Sequence, residues 1–376
     1  MKQTLKVIAV NLFVIGAFIT LANFLAISGI KIFNGMKPKQ YAESHLFPNY
    51  ENVDWALDHF TDYDNLTKGY YEAFYGWRRP AMQSKTINID EQGRRRTFRS
   101  TDTEQDKVIA FFGGSTTWGT GANDETTIPS FFARLNPDYE AINFGETGYL
   151  AHQSLNLLMK EHFNGFRPDV AVFYDGVNDV WNKCRRENDE FSDSREHMVR
   201  LFLEEREEGS YLELIGPLMD FIGRAKRTME NKQRVNSPYD CHEDPAKAER
   251  IARVLLSDWL LAKQLVESGG GEFVAVLQPQ AYGGTSRLDH LKLDGSLGRQ
   301  YEAVYPKIVE LLDREFPELR ENFLDLRTAL DRDGYFYIDW CHLSPNGNEI
   351  IAQRIDEAVA RRMMPATAQT GGQIPG

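Results

Sequence analysis

The chain of 376 residues has little cysteine, no excess of positive charge and no internal repeat. Its three cysteines, Cys184, Cys241 and Cys341, form no Cys-x-x-Cys and no zinc-ligand spacing, which excludes a zinc-ribbon or dithiol-redox reading. Cys184 and Cys241 either pair, in an oxidising compartment, or stay as free buried thiols; the sequence leaves both open. A formal net charge of −12 argues against nucleic acid as the main partner, because phosphate binding wants a basic surface. The run Arg94-Arg95-Arg96 is a local exception and reads as a solvated strand edge or turn. The small-residue turn after Phe112 contains no lysine, so it is no nucleotide-hydrolase phosphate loop. Asp124 stands where a dinucleotide fingerprint starting at Gly119 needs its third glycine.

What is present is a globular composition, 42% hydrophobic and 12% aromatic, behind one long apolar run. Val7–Ile30 carries no charge, and a helix needs roughly 20 such residues to span the hydrocarbon core. No Ala-x-Ala site follows it, so residues 1–30 are expected to be an uncleaved signal-anchor. Lys2 and Lys6 precede the run and Lys31, Lys37 and Lys39 follow it, so the lysines do not orient it. The globular part is expected outside the cytoplasm, periplasmic or extracellular, as is usual for an N-terminal anchor.

Residues 31–106 read as a polar, aromatic-rich juxtamembrane extension packed on the main domain. From 107 onward, apolar runs (107–113, 139–145, 168–176, 272–279, 322–326) alternate with helical patterns (130–135, 152–163, 303–316, 346–363). That alternation predicts an α/β three-layer sandwich with a mainly parallel central sheet over residues 107–363. The charged helical stretch at about 180–270 is expected to be an insertion, serving as a lid or partner surface. The tail 364–376 reads as disordered.

Ser115 lies at a strand-to-helix turn, where a side chain is exposed at the sheet edge and helix-start N–H groups can hold an anion. Gly113 and Gly114 let the chain turn there. A nucleophilic serine needs a base. His342 follows Asp339 by three residues in YFYIDWCHLSPNGN, and a carboxylate beside a histidine fixes its tautomer and stabilises the imidazolium. His152 is a weaker alternative, and His45, His59, His162, His197, His242 and His290 read as surface or structural residues. Two further turns follow the second and third strands. In a parallel sheet they gather at the carboxyl edge with Ser115, where ligands bind. Gly148 in NFGETGY offers a backbone N–H and Asn178 in YDGVNDV a side-chain amide to a developing oxyanion. Their alternatives are plain turn chemistry and helix capping.

In this order the four blocks resemble the SGNH (GDSL-type) hydrolase superfamily. GGST (113–116) is similar to its first block, NFGETG to the second, GVND to the third and DWCH to the last. Gly114 and Thr116 depart from the Asp and Leu that many members carry. The resemblance implies a flavodoxin-like SGNH fold, Ser115 as nucleophile, and Asp339 and His342 as the rest of a triad. It also implies Ser115, Gly148 and Asn178 as oxyanion donors, with no cofactor and no metal. An ester substrate follows, such as an acetylated polysaccharide, with a carbohydrate O-acetyl esterase first. The alternatives are an O-acyltransferase using the same triad and, in another class, a non-catalytic envelope scaffold. A lipase is disfavoured because no long apolar lid lies outside the anchor. Trp118, Tyr149, Tyr174 and Trp181, beside the motifs, are candidate substrate contacts or part of the core.

Overall fold

The computed structural model describes residues 2–35, 41, 43–67, 69–100, 105–193, 216–235 and 239–363. The tail 364–376, His197 and most of the charged stretch after 193 lie outside the described residues. The chain divides into two compact units, Met1–Gln40 with Arg195–Pro238, and Tyr41–Ser194 with Tyr239–Gly376.

In the first unit the apolar run forms one helix, α1 (Lys2–Gly35), of which Gln3–Ile32 is long and apolar enough to cross a membrane. It packs against the helix Gly216–Val235 (α7 in chain order). Asn23, a polar break in the run, accepts a hydrogen bond from the Leu218 N–H.

The second unit begins with α2 (Ala56–Asp64), the hairpin β1 (Tyr70–Glu72) with β2 (Gly76–Arg78), and the short pair β3 (Met82–Gln83) with β4 (Asn88–Ile89). The α/β sandwich follows. Its elements are β5 (Lys107–Gly113), α3 (Ser115–Trp118), α4 (Ile128–Leu135), β6 (Tyr139–Asn143), α5 (Ala151–Phe163), β7 (Val170–Asp175) and α6 (Val177–Lys183). Then come α8 (Pro245–Ser268), β8 (Glu272–Leu277), α9 (Gly295–Glu315), β9 (Phe323–Asp325) and α10 (Pro345–Met363).

The sheet order is β6-β5-β7-β8-β9 and every pairing in it is parallel. Its strands are nearly continuous apolar runs because helices cover both faces. Ala110, Phe112, Phe173 and Ala275 point to one face, with Leu155 of α5, Trp259 of α8 and Ile308 of α9. Ile109, Phe111, Val172 and Val274 point to the other, with Phe132 of α4 and Ile351 and Ile355 of α10. This doubly wound order places a topological switch at the carboxyl ends of the first strands. There Gly113 of β5 registers with Tyr174 of β7.

The expected insertion at about 180–270 is corrected at its C-terminal end, from Pro245 onward, while 194–215 and 236–238 lie outside the described residues. α8 is a core helix that fully buries Ile251, Leu255, Leu256 and Trp259, each stabilising by roughly 2 kcal/mol. Arg253 on its outer face pairs with Glu249 and Glu315, while Lys247 and Asp258 are charged residues that α8 buries. Cys184, which caps α6, is bonded to Cys241. The pairing left open by the sequence is therefore a disulfide.

Candidate active site

The serine turn is built by a strand that stops and a helix that starts at once. β5 ends at Gly113, and Ser115 opens α3. His342 Nε2 lies 2.6 Å from Ser115 Oγ. On the other side of the ring, Nδ1 lies 2.6 Å from Asp339 Oδ2. The Asp-x-x-His spacing has a local cause. Asp339 Oδ1 accepts the backbone N–H groups of Cys341 (2.9 Å) and His342 (2.8 Å), an Asx-type turn that leaves Oδ2 for the imidazole. The loop is closed by the Ile338 N–H donating to the His342 carbonyl at 2.9 Å. Burial pushes the Asp339 carboxyl up. The His342 charge, hydrogen bonds from its ring and backbone, and one from Tyr41 outweigh burial and bring the carboxyl down to about 2.

The turns bearing Gly148 and Asn178 are clamped to this serine turn. Asn143 Oδ1 accepts from the Gly145 N–H, and its Nδ2 donates to the Thr117 carbonyl at 2.9 Å. The Glu146 N–H donates to the Gly113 carbonyl at 3.1 Å. Gly145 lies so close to the Thr117–Trp118 backbone that a Cβ would collide with it. The Glu146 carboxylate is buried. It accepts from the Arg79 and Thr147 N–H groups and pairs with the Arg79 guanidinium at 3.3 Å. Asn178 donates from Nδ2 to the Tyr149 carbonyl at 2.8 Å. An amide nitrogen carries two protons, so that bond leaves one for a ligand. Gly114 leaves room for the Asn178 amide, which a Cβ at 114 would strike.

Two contributors had no sequence signal. Tyr41, buried, donates from its hydroxyl to Asp339 Oδ2 at 2.7 Å and lies 3.2 Å from His342 Nδ1. Arg95, expected on a solvated edge, is buried. It donates to the carbonyls of Thr86, Trp118, Gly119 and Ala122 and pairs with Asp124 at 3.1 Å. It thereby fixes the chain that leaves α3.

Several expectations are corrected. Trp118 is fully buried, with the Arg95 guanidinium 4.4 Å from its ring centroid, so it presents no face to a substrate. Tyr149 is also buried, its hydroxyl donating to the Trp77 carbonyl. Tyr174 is core, and Thr116 accepts a hydrogen bond from the Gln278 amide inside the protein. His152 is pushed down to about 3 by burial and by Lys183, and Ser115 meets His342 instead. Trp181 stays half-buried. It lines a cleft of about 490 Å³ with Trp340, Tyr239, Tyr282 and His290, and Asp339 forms part of the wall.

Asp339, Cys341 and His342 offer donor atoms within 4.8 Å of one another, the spacing of a metal site. Those atoms are already committed. His342 Nδ1 faces Asp339, and burial and the Asp339 charge push the Cys341 thiol up, keeping it protonated.

No family model and no curated protein matches the chain. Among solved structures it is similar to an acetyl xylan esterase, at 19% identity over 67% of this chain and 99% of that one, with a TM-score of 0.39. A lipolytic protein of the G-D-S-L family from Veillonella parvula is similar at 12% identity, over 68% and 98%, with a TM-score of 0.41. A carbohydrate acetylesterase from Sinorhizobium meliloti is similar at 14% identity, over 69% and 100%, with a TM-score of 0.38. These are distant likenesses, and the function is argued from the chain's own site.

Proposed function

We propose that this protein is a membrane-anchored serine esterase of the SGNH type that removes short acyl groups, acetyl first, from carbohydrate esters. The observation that carries the reading is the continuous line Ser115 Oγ, His342 Nε2, His342 Nδ1, Asp339 Oδ2, with 2.6 Å at each hydrogen-bonded step. A serine hydroxyl is a weak nucleophile until a base takes its proton as the bond forms. His342 is that base, and Asp339, held as the anion, steadies the imidazolium. Ser115 Oγ adds to the ester carbonyl, and the oxyanion is received by the N–H groups of Ser115 and Gly148 and the Asn178 amide. Collapse expels the alcohol, which takes the proton from His342. Water, deprotonated by the same histidine, then releases the acid and restores the serine.

The carbohydrate half of the proposal draws on the cleft beside Asp339. Trp181 stands one helical turn beyond Asn178, and Trp340 stands between Asp339 and His342 in the chain. Their rings lie 6.4 Å apart and 22° from parallel. Aromatic rings suit the apolar face of a sugar, and Lys292, Asp294 and His290 in the same lining suit its hydroxyls. Anchoring through α1 and an extracytoplasmic catalytic unit are part of the proposal. The disulfide supports that side of the membrane, since such bonds persist in oxidising compartments.

The test is hydrolysis of p-nitrophenyl esters of rising chain length, and of acetylated xylo-oligosaccharide, by the full chain in detergent. Acetyl esters should be cleaved fastest, and Ser115→Ala should lower the rate by roughly a million-fold. A folded Ser115→Ala variant with wild-type turnover would end the proposal. Preference for long acyl chains would end its carbohydrate part.

A further inference from the structure

We infer that Tyr41 is a positioning residue of this site, a fourth member that holds the Asp339–His342 pair in register and is supplied by the chain just after α1. The inference rests on the esterase reading and goes beyond the three-residue line.

The hydrogen-bond inventory carries it. Asp339 receives two backbone N–H groups on Oδ1. On Oδ2 it receives the His342 ring at 2.6 Å and the Tyr41 hydroxyl at 2.7 Å. A phenol has one proton to give. Burial and the nearby Asp339 charge hold the Tyr41 phenol well above its ordinary value, so it stays protonated and that proton goes to Asp339. Toward His342 Nδ1, 3.2 Å away, the phenol oxygen can then only accept. The Nδ1–H therefore meets two oxygen acceptors, Asp339 Oδ2 as the near one and Tyr41 Oη as the far one, with the weakly accepting Cys341 Sγ farther off at 3.6 Å. This disposition selects the tautomer with the proton on Nδ1, which leaves Nε2 as the base facing Ser115. It also supplies a second oxygen to the imidazolium that forms during the reaction.

Tyr41 is itself fixed in place. Its ring packs edge-on to Tyr63 at 5.3 Å and tilted against Phe60 at 6.0 Å, both on α2. The same stretch is tied to the loops of the site at two other points. The Asn49 amide donates to the Tyr337 carbonyl at 3.0 Å, and the Tyr50 hydroxyl donates to the Gly121 carbonyl. The extension between α1 and the sheet is thus a wall of the site, and its hydroxyl at 41 reaches the polar line itself.

The experiment is Tyr41→Phe in the full chain, which keeps the ring and removes only the oxygen. With p-nitrophenyl acetate, kcat should fall roughly ten- to a hundred-fold with KM unchanged, the loss expected for a hydrogen bond to a charged group. Labelling of Ser115 by a fluorophosphonate should slow in step. The far-downfield Nδ1 proton of His342, seen by NMR with labelled histidine, should move. A purely structural tyrosine would lower the melting temperature and the labelled fraction but leave kcat per labelled site and the Nδ1 proton as they are. That result overturns the inference. So does a kcat within about twofold of wild type. If Ser115→Ala is inactive while Tyr41→Phe is unimpaired, only the role of Tyr41 falls. If Ser115→Ala is fully active, the esterase reading falls with it.

Discussion

Two carboxylates at the carboxyl edge of this sheet, Asp339 partly buried and Asp175 buried, are driven in opposite directions. Asp339, in the loop before α10, is brought down to about 2. Asp175, the last residue of β7, is raised well above its ordinary value by burial and by its neighbour Asp179. Both lose most of their water, Asp175 more than Asp339, and loss of water alone does not bring a carboxyl below its ordinary value. Donors do. Asp339 receives His342, two backbone N–H groups and Tyr41. Asp175 has the Trp259 indole on Oδ2 at 3.2 Å and, among the described residues, no hydrogen-bond partner on Oδ1. Lys183, the cation of that second pocket, pairs at 3.1 Å with Asp179 instead. The same pocket pushes Asp258 up to about 7, again chiefly by burial. One region is built to keep a charge, the other to keep a proton, and it is the first that faces His342.

The largest effect expected from this contrast is on catalysis. Asp339→Asn keeps the shape of the loop but offers an amide to His342 Nδ1 and permits the wrong tautomer. Turnover of p-nitrophenyl acetate should drop on the order of ten thousand-fold, measured on protein shown to be folded by its melting curve. Retention of more than about a tenth of the rate would mean that the charge at 339 is not what the loop is for.

The next effect is on stability in acid. Asp339 has a folded value near 2 against an ordinary 3.8. Between those values the unfolded chain binds the proton and the folded one does not, so its contribution is complete above 3.8 and lost as pH falls through about 2. The amount is about 2 kcal/mol. Urea unfolding from pH 5 down to pH 2 should show wild type losing that increment and Asp339→Asn not losing it. Parallel curves would contradict the assignment of charge.

How much of this was legible in the chain depends on how far apart the partners are. Ser115, Asp339 and His342 each sit in a short local pattern, and an Asx turn ties the last two together within four residues. Strand positions were readable because a parallel strand covered on both faces is an unbroken apolar run. Tyr41 was not readable, because no local pattern marks a tyrosine whose partner lies 298 positions away. Trp118 stayed open between substrate contact and core for the same reason: its cover, Arg95 and Arg79, comes from the extension, and an arginine run gives no sign that its middle member is buried. α8 was legible as an amphipathic helix, since Ile251, Leu255 and Trp259 recur at helical spacing, but not as part of the core, because the charged stretch before it drew it into the expected insertion.

The smallest effect is the sharpest test of the comparison, since it concerns a change that should do almost nothing. Asp175→Asn replaces a neutral acid with a neutral amide of the same shape and leaves the Trp259 bond an oxygen to use. At pH 4 and below, the melting temperatures should agree, with a difference in stability under about 1 kcal/mol. Above that the curves should part. The unfolded wild-type chain ionises at 175 near 3.8 while the folded one holds its proton, so wild-type stability falls as pH rises toward the raised folded value. The asparagine variant lacks that slope and should become the more stable protein at neutral pH. Were the two to keep the same pH dependence, Asp175 would be charged in the fold, and the proton-keeping character of the pocket under α6 would be wrong.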